Sequence, residues 1–252
     1  MIELLSLQRA KNTPLPIRYM GLWRRILLET ADGNDNTSLV FWMQTQRHHI
    51  DIRIPATRQV STVSSIDEYS DEELFLLADQ QGFFGLTRVD ADICQWHREI
   101  DYQPQNHHRD IGKMAFDGND TLLETGVDQK YLEIWKKQEI QQQLFSQQVI
   151  MGTCREGSKV EALFMRAGKY VAYARPRKIT LPPSESLKDA IKIHKPNRDV
   201  LLDWLDFEIS FGEYLDDEHW RINHSTLPFK ENLVMVMPPP LNKSSGQFLH
   251  HL

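Results

Sequence analysis

The chain has 252 residues, enough for one large or two small domains, and a polypeptide of this size buries a core without disulfides. It carries 29 Lys and Arg against 35 Asp and Glu, a net charge of −6, with 25% charged and 40% hydrophobic residues. These values exclude a wholly disordered chain, a collagen and a coiled coil, and the acidity argues against general nucleic-acid binding. Two cysteines, Cys94 and Cys154, do not make a disulfide framework. With no stretch near 18 apolar residues and no signal-peptide pattern in the opening residues, the expected setting is a reducing cytoplasm, with no membrane contact.

Short alternating runs dominate the chain, the mark of an all-β protein. Gly21–Thr30 and Thr37–Thr45 read as strands joined by the turn Ala31–Asn36. His49–Pro55 alternates, with Ile50, Ile52 and Ile54 on one face and His49, Asp51 and Arg53 on the other, the latter expected as the wet side of an edge strand. A loop follows over 56–69. Ser70 and Glu73 then form a capping box for a short helix over Ser70–Gln81, with Gly82 just past its end. Phe84–Val89 and Ile93–Gln103 form a hairpin, as do Ile111–Phe116 and Thr121–Thr125 around the turn Asp117–Asp120. Tyr131–Glu139 brings the count to about eight strands, enough to close a small barrel.

Beyond a Gln-rich stretch at 138–148 come Leu144–Cys154, Val160–Ala167 and Lys169–Arg175 as strands and Ser184–His194 as a second short helix. Leu205, Phe207, Ile209 and Phe211 then alternate as a half-buried strand, followed by Trp220–Thr226 and Leu233–Met237. The expected domains are a barrel over 1–140, a second barrel-like unit over 141–240 and a loose tail over 241–252. Arg155–Lys178 is rich in Lys and Arg and Asp199–Glu218 in acids, and the two are expected to neutralise one another across neighbouring strands.

No standard catalytic motif occurs: GxGxxG after a strand, GxxxxGK[ST], HExxH, GxSxG and paired CxxC are all missing. The G-x-W of Gly21-Leu22-Trp23 opens the first long strand and resembles the signature of lipocalin/calycin barrels. There the Trp plugs the closed end and a cation lies across its indole, here Arg24, Arg98, Lys136 or Lys137. Trp23-Arg24-Arg25, Val40–Thr45, Ile50–Pro55, Gln81-Gly82-Phe83, Trp96–Asp101, Arg109–Gly112 and Leu123–Gly126 together are similar to an uncharacterised family of bacterial and fungal proteins. That family includes a yeast protein that interacts with a casein kinase. The resemblance covers about residues 20–140 well and implies tandem calycin-like β-barrels; with the two short helices read above, the expected class is all-β, antiparallel calycin/lipocalin-like barrels with one or two short helices. It implies no activity, and the kinase partner is not carried over.

Ile93–Gln103 carries the most chemistry. Strict alternation puts Cys94, Trp96, Arg98, Ile100 and Tyr102 on one face and Gln95, His97, Glu99, Asp101 and Gln103 on the other. If the first face lines a barrel, Trp23 closes its floor, Trp42, Trp96 and Tyr102 wall it, and Arg98 meets the charge of a small apolar or amphipathic anion. In the absence of ligand an acid such as Asp51, Glu124 or Glu133 would partner Arg98. Two other readings stay open. The barrels are filled and the protein is an interaction module, or His97 with Glu99 or Asp101 performs acid–base work as a hydrolase or isomerase. Neither His48-His49 nor His107-His108 chelates easily from a strand, Cys94 reads as a buried unreactive thiol, and no metal or cofactor is expected.

Overall fold

The computed structural model describes residues 15–105, 109–140 and 144–239. The pair His107-His108 and the tail 241–252 lie outside them. Among the described residues, fifteen strands form two antiparallel sheets. The first comprises β1 (Gly21–Thr30), β2 (Gly33–Asp35), β3 (Leu39–Gln44), β4 (His48–Ile54), β5 (Gln81–Asp90), β6 (Ile93–Asp101), β7 (Asp110–Asp117), β8 (Thr121–Gly126) and β9 (Tyr131–Lys137). Apart from β2, which pairs with the end of β1, they follow chain order around a ring. β9 returns to β1, with Trp23 opposite Lys137 and Thr30 opposite Tyr131. This is a closed eight-stranded barrel, the size at which side chains just fill the interior.

The second sheet is an open half-barrel of β10 (Phe145–Thr153), β11 (Lys159–Ala167), β12 (Tyr170–Arg175), β13 (Glu208–Tyr214), β14 (His219–Ser225) and β15 (Val234–Val236). The class is thus all-β and antiparallel with a barrel, as expected. Only the first ring closes.

Among the described residues three short α-helices accompany the sheets: α1 (Asp71–Leu77), α2 (Leu187–His194) and α3 (Arg198–Leu205). The capping box of α1 forms as read, with Ser70 accepting from the Glu73 amide and Glu73 reaching back to the Ser70 amide. Helix α2 is capped by Ser186, two residues later than expected. Helix α3 corrects the sequence reading, which placed Leu205 at the start of a strand. Asn197 caps it by accepting from the Val200 amide, and Leu201, Leu202, Trp204 and Leu205 bury one side. The strand begins only at Glu208, after the helix has ended.

The largest apolar core lies between the sheets. The outer wall of the barrel supplies Met43, Ile50, Ile52, Phe84 and Tyr102, the half-barrel supplies Leu163, Met165, Ala172, Ile209 and Phe211, and all three helices contribute. Strand β4 is therefore buried on both faces. His49 and Asp51 point into the barrel, at 0% and 2% exposure, and are not the wet side of an edge strand. The opposite charges of the second half do meet, in Arg155 with Asp203, Arg175 with Asp206 and Lys169 with Glu213.

The two sheets share a device. Phe84 lies opposite Ile100 while its neighbour Gly85 lies opposite Arg98, so β6 carries one extra residue, Glu99. Phe211 lies opposite His224 while Gly212 lies opposite Ile222, so β14 carries one extra, Asn223. Each is a β-bulge facing a Phe-Gly pair. The close approach requires the glycines: a Cβ on Gly85 would stand 1.9 Å from the His97 carbonyl oxygen, and one on Gly212 would stand 1.8 Å from that of Arg221.

Candidate functional site

The barrel interior has an aromatic layer and an ionic layer. Trp42 is the centre of the first, with Trp23 at 6.2 Å, Trp96 at 5.6 Å and Trp135 at 5.8 Å between ring centroids. Tyr19, Val40, Cys94, Met114 and Leu122 complete it. Of the four cations considered for Trp23, Lys137 takes the position, its Nζ 5.0 Å from the ring centroid, and it also donates to the Arg18 carbonyl. Burial pushes the Cys94 thiol well above its ordinary pKa, which fits an inert thiol.

The ionic layer joins Arg25 to Glu133 and Asp35, each at 2.7 Å, and Arg53 to Asp51 at 2.9 Å. Glu124 is buried there with hydrogen bonds from Tyr131 Oη at 2.7 Å and Trp135 Nε1 at 3.1 Å. Burial, reinforced by the charge of Glu133, raises its pKa well above the carboxylate range. A second polar chain runs from His49 Nδ1 to Thr87 Oγ1 to Gln44 Oε1, which also accepts from Trp42 Nε1. Burial holds the His49 pKa far down, so its ring is neutral.

These side chains leave a void of about 10 Å³ among Trp42, Asp51, Arg53, Phe83, Trp96, Asp110, Glu124 and Trp135. That is room for one water at most. Four tryptophans and the ionic layer pack around this void.

A larger space opens at the gap between β6 and β7, in a cleft of about 550 Å³. Its origin is local. β6 pairs with β7 only from Ile93 to Trp96, against Lys113 to Asp110; β7 begins at Asp110, so β6 runs on to Asp101 beyond that pairing. The cleft is lined by Gln95–Asp101 of β6, by Arg109, Asp110 and Ile111, and by Asp128, Gln129 and Tyr131 across from them. Trp96 and Asp110 border both the cleft and the interior void.

Five of the sequence-read residues, Trp96, His97, Arg98, Glu99 and Asp101, line this cleft. Their arrangement differs from strict alternation because of the bulge at Glu99. Arg98 and Asp101 are three apart on a strand and belong on opposite faces, yet Arg98 Nη1 reaches Asp101 Oδ2 at 2.8 Å. Arg98 also holds Asp110 at 2.7 Å and lies 3.6 Å over the Phe83 ring. Its partners are thus Asp101 and Asp110, correcting the expected Asp51, Glu124 or Glu133. Burial opposes the Arg98 charge, and Asp110 and Asp101 more than offset this, so its pKa is raised.

The same bulge turns Tyr102 out of the barrel. It is fully buried in the core between the sheets, donates to the Leu77 carbonyl at 2.8 Å and packs edge-on to Phe207. Trp23 and Trp42 lie buried in the aromatic layer of the interior. Neither they nor Tyr102 touch the cleft. His97 makes no hydrogen bond to Asp101, whose carboxylate is engaged by Arg98 and the Gln103 amide. Burial and then Arg88 lower the His97 pKa. Among the described residues no three His, Cys, Asp or Glu side chains converge as metal ligands do.

Sequence reasoning missed Asp128, Gln129 and Tyr131. Two glycines bear on them: a Cβ on Gly126 would stand 2.0 Å from the Gln129 carbonyl oxygen and 2.5 Å from the Tyr131 ring, and one on Gly112 would stand 2.8 Å from Cγ of Glu124, whose carboxyl Tyr131 holds.

Comparison with known proteins adds little. No protein-family model matches the chain, and no curated protein matches it. Among solved structures, an uncharacterized protein, YLR301w, from Saccharomyces cerevisiae is similar, with a TM-score of 0.47 and 12% identity over 85% of this chain and 86% of that one. That neighbour is itself uncharacterized. The comparisons supply neither a calycin family name nor a casein-kinase link.

Proposed function

We propose that this protein is a non-catalytic interaction module that receives a cationic group, an amine or guanidinium of a small molecule or of a basic protein segment, in the β6–β7 cleft. The observation that carries this reading is the contrast in size between two spaces: about 10 Å³ in the void beside Trp42 and about 550 Å³ in the cleft. The charge of the cleft decides the sign of the ligand. Among its described residues the three aspartates Asp101, Asp110 and Asp128 stand against the two arginines Arg98 and Arg109. Both guanidiniums are engaged, Arg98 by two aspartates and Arg109 by a two-point contact with Asp128 at 2.7 and 2.9 Å. An incoming anion has to displace a carboxylate from arginine, whereas a cation meets oxygens with acceptor capacity to spare. Trp96 and Tyr131 add aromatic surface for cation–π contact.

The test is a calorimetric titration of the whole protein with spermidine, a tetralysine peptide and dodecanoate. The cationic probes should bind, more weakly as salt rises, and Asp128→Asn should weaken them. The stronger of the two tells a small ligand from a protein segment. Dodecanoate binding with no response to either cation would overturn the reading.

A further inference from the structure

The half-barrel ends in a strand that no described residue pairs with on its outer side. β10 runs beside β11 over nine consecutive residues without a register shift, and it has no second strand partner among the described residues. Folded proteins blunt such edges with charge, proline, a bulge or short length, because an open row of amides and carbonyls recruits another strand. β15, the opposite edge, is blunted by its length of three residues. β10 has none of these protections. Its sequence, FSQQVIMGT, holds no charge and no proline. Leu144 just before it, and Val149 and Met151 within it, are 52%, 38% and 59% exposed. In the barrel the corresponding place is filled: β1 pairs with β3 on one side and carries β9 along the other.

The geometry points to a second copy of this chain as the occupant, its β10 pairing antiparallel with β10 about a two-fold axis at Ile150. Two six-stranded half-barrels then become one continuous sheet. A symmetric antiparallel pair places each residue near its own copy, so any charge close to the axis meets its like. The lack of charge along all of β10 removes that penalty. With the axis at Ile150, Val149 of each copy lies opposite Met151 of the other, so the pairing covers both exposed apolar side chains twice. Gln147 lies away from the axis and is already held by Thr45 Oγ1 and His48 Nδ1 of the barrel, which fixes this end of the strand before pairing. The cleft proposed above lies on the other sheet, so either proposal can fail without the other.

Sedimentation of the whole chain at up to about 100 µM tests this by mass action. Wild type should approach twice 29.5 kDa and dissociate on dilution. Val149→Lys should raise the dissociation constant about tenfold or more by placing a lysine against an apolar partner near the axis, with an unchanged circular dichroism spectrum. Met151→Glu, at a more exposed position, should do the same and serves if the lysine variant misfolds. An equal mixture of the two variants should recover the dimer, since the introduced ammonium of one copy then faces the introduced carboxylate of the other. A wild type that stays at 29.5 kDa at the highest concentration, or two variants that dimerise as tightly as wild type, would overturn the proposal.

Discussion

Replacing Trp42 by alanine tests whether the barrel is solid. Trp42 is 1% exposed and touches three other indoles, so the substitution opens a hole at the centre of the aromatic layer. A buried Trp→Ala change costs about 3–5 kcal/mol. Each aromatic pair contributes about 0.5–1.5 kcal/mol beyond area, so three pairs place this site at the upper end. The polar cost is small: Gln44 Oε1 loses the indole N–H at 3.2 Å but keeps the Thr87 hydroxyl at 2.7 Å. For a chain of this size about 4 kcal/mol corresponds to a drop in Tm of roughly 8–16 °C. Thermal unfolding followed by circular dichroism measures it. Indole added to the variant should restore part of the loss by filling the hole, and should leave wild type unmoved. A drop under about 1 kcal/mol, or wild-type stabilisation by indole, would mean that the ring already holds spare room and that the reasoning about a filled interior is wrong.

Glu124→Gln tests the ionic layer through pH. Burial raises the folded pKa of Glu124, so above the unfolded value of about 4.3 the native state holds a proton that the unfolded chain has released, and stability falls as pH rises toward the folded pKa. The glutamine is neutral throughout, so the Tm of the variant relative to wild type should climb between acid and neutral pH; a difference that shrinks instead refutes the assignment. Gly85→Ala and Gly212→Ala should each cost at least about 1–3 kcal/mol by overpacking, read as lowered Tm, because each Cβ collides with a backbone carbonyl across its bulge. Two neutral outcomes would show that the bulges are not tight. Lys137→Met should cost about 0.5–1 kcal/mol through loss of the cation over Trp23, and a larger loss than Lys137→Arg would distinguish charge from packing.

Much of the fold was legible because it rests on local rules. The capping box of α1 and the hairpin turn between β7 and β8 are specified by residues within a few positions of one another. The candidate site was legible only in part. Trp96, Arg98 and Asp101 were singled out, but a bulge at Glu99 decides which way they face, and it is set by the partner strand through Gly85 rather than by β6 itself. One extra residue moved Asp101 toward Arg98 and sent Tyr102 to the other side of the wall. The inward placement of His49, Asp51 and Arg53 was hidden for a related reason. Alternation separates two faces but does not say which is dry, and here both are. Helix α3 was missed because Leu205 and Phe207 continue an apparent period of two across the helix end.

The burial of both sides of β4 bears on how this chain could be dissected. Met43, Ile50 and Ile52 are the floor on which the half-barrel and its helices rest, and Arg177 beyond the half-barrel grips the Asp101 and Tyr102 carbonyls of the cleft strand at 3.1 and 2.7 Å. A fragment ending near residue 140 would keep every rung of its ring yet bare an oily flank and loosen the strand that carries Arg98. The ring can be complete as a circuit of hydrogen bonds and still be only half of a packed interior.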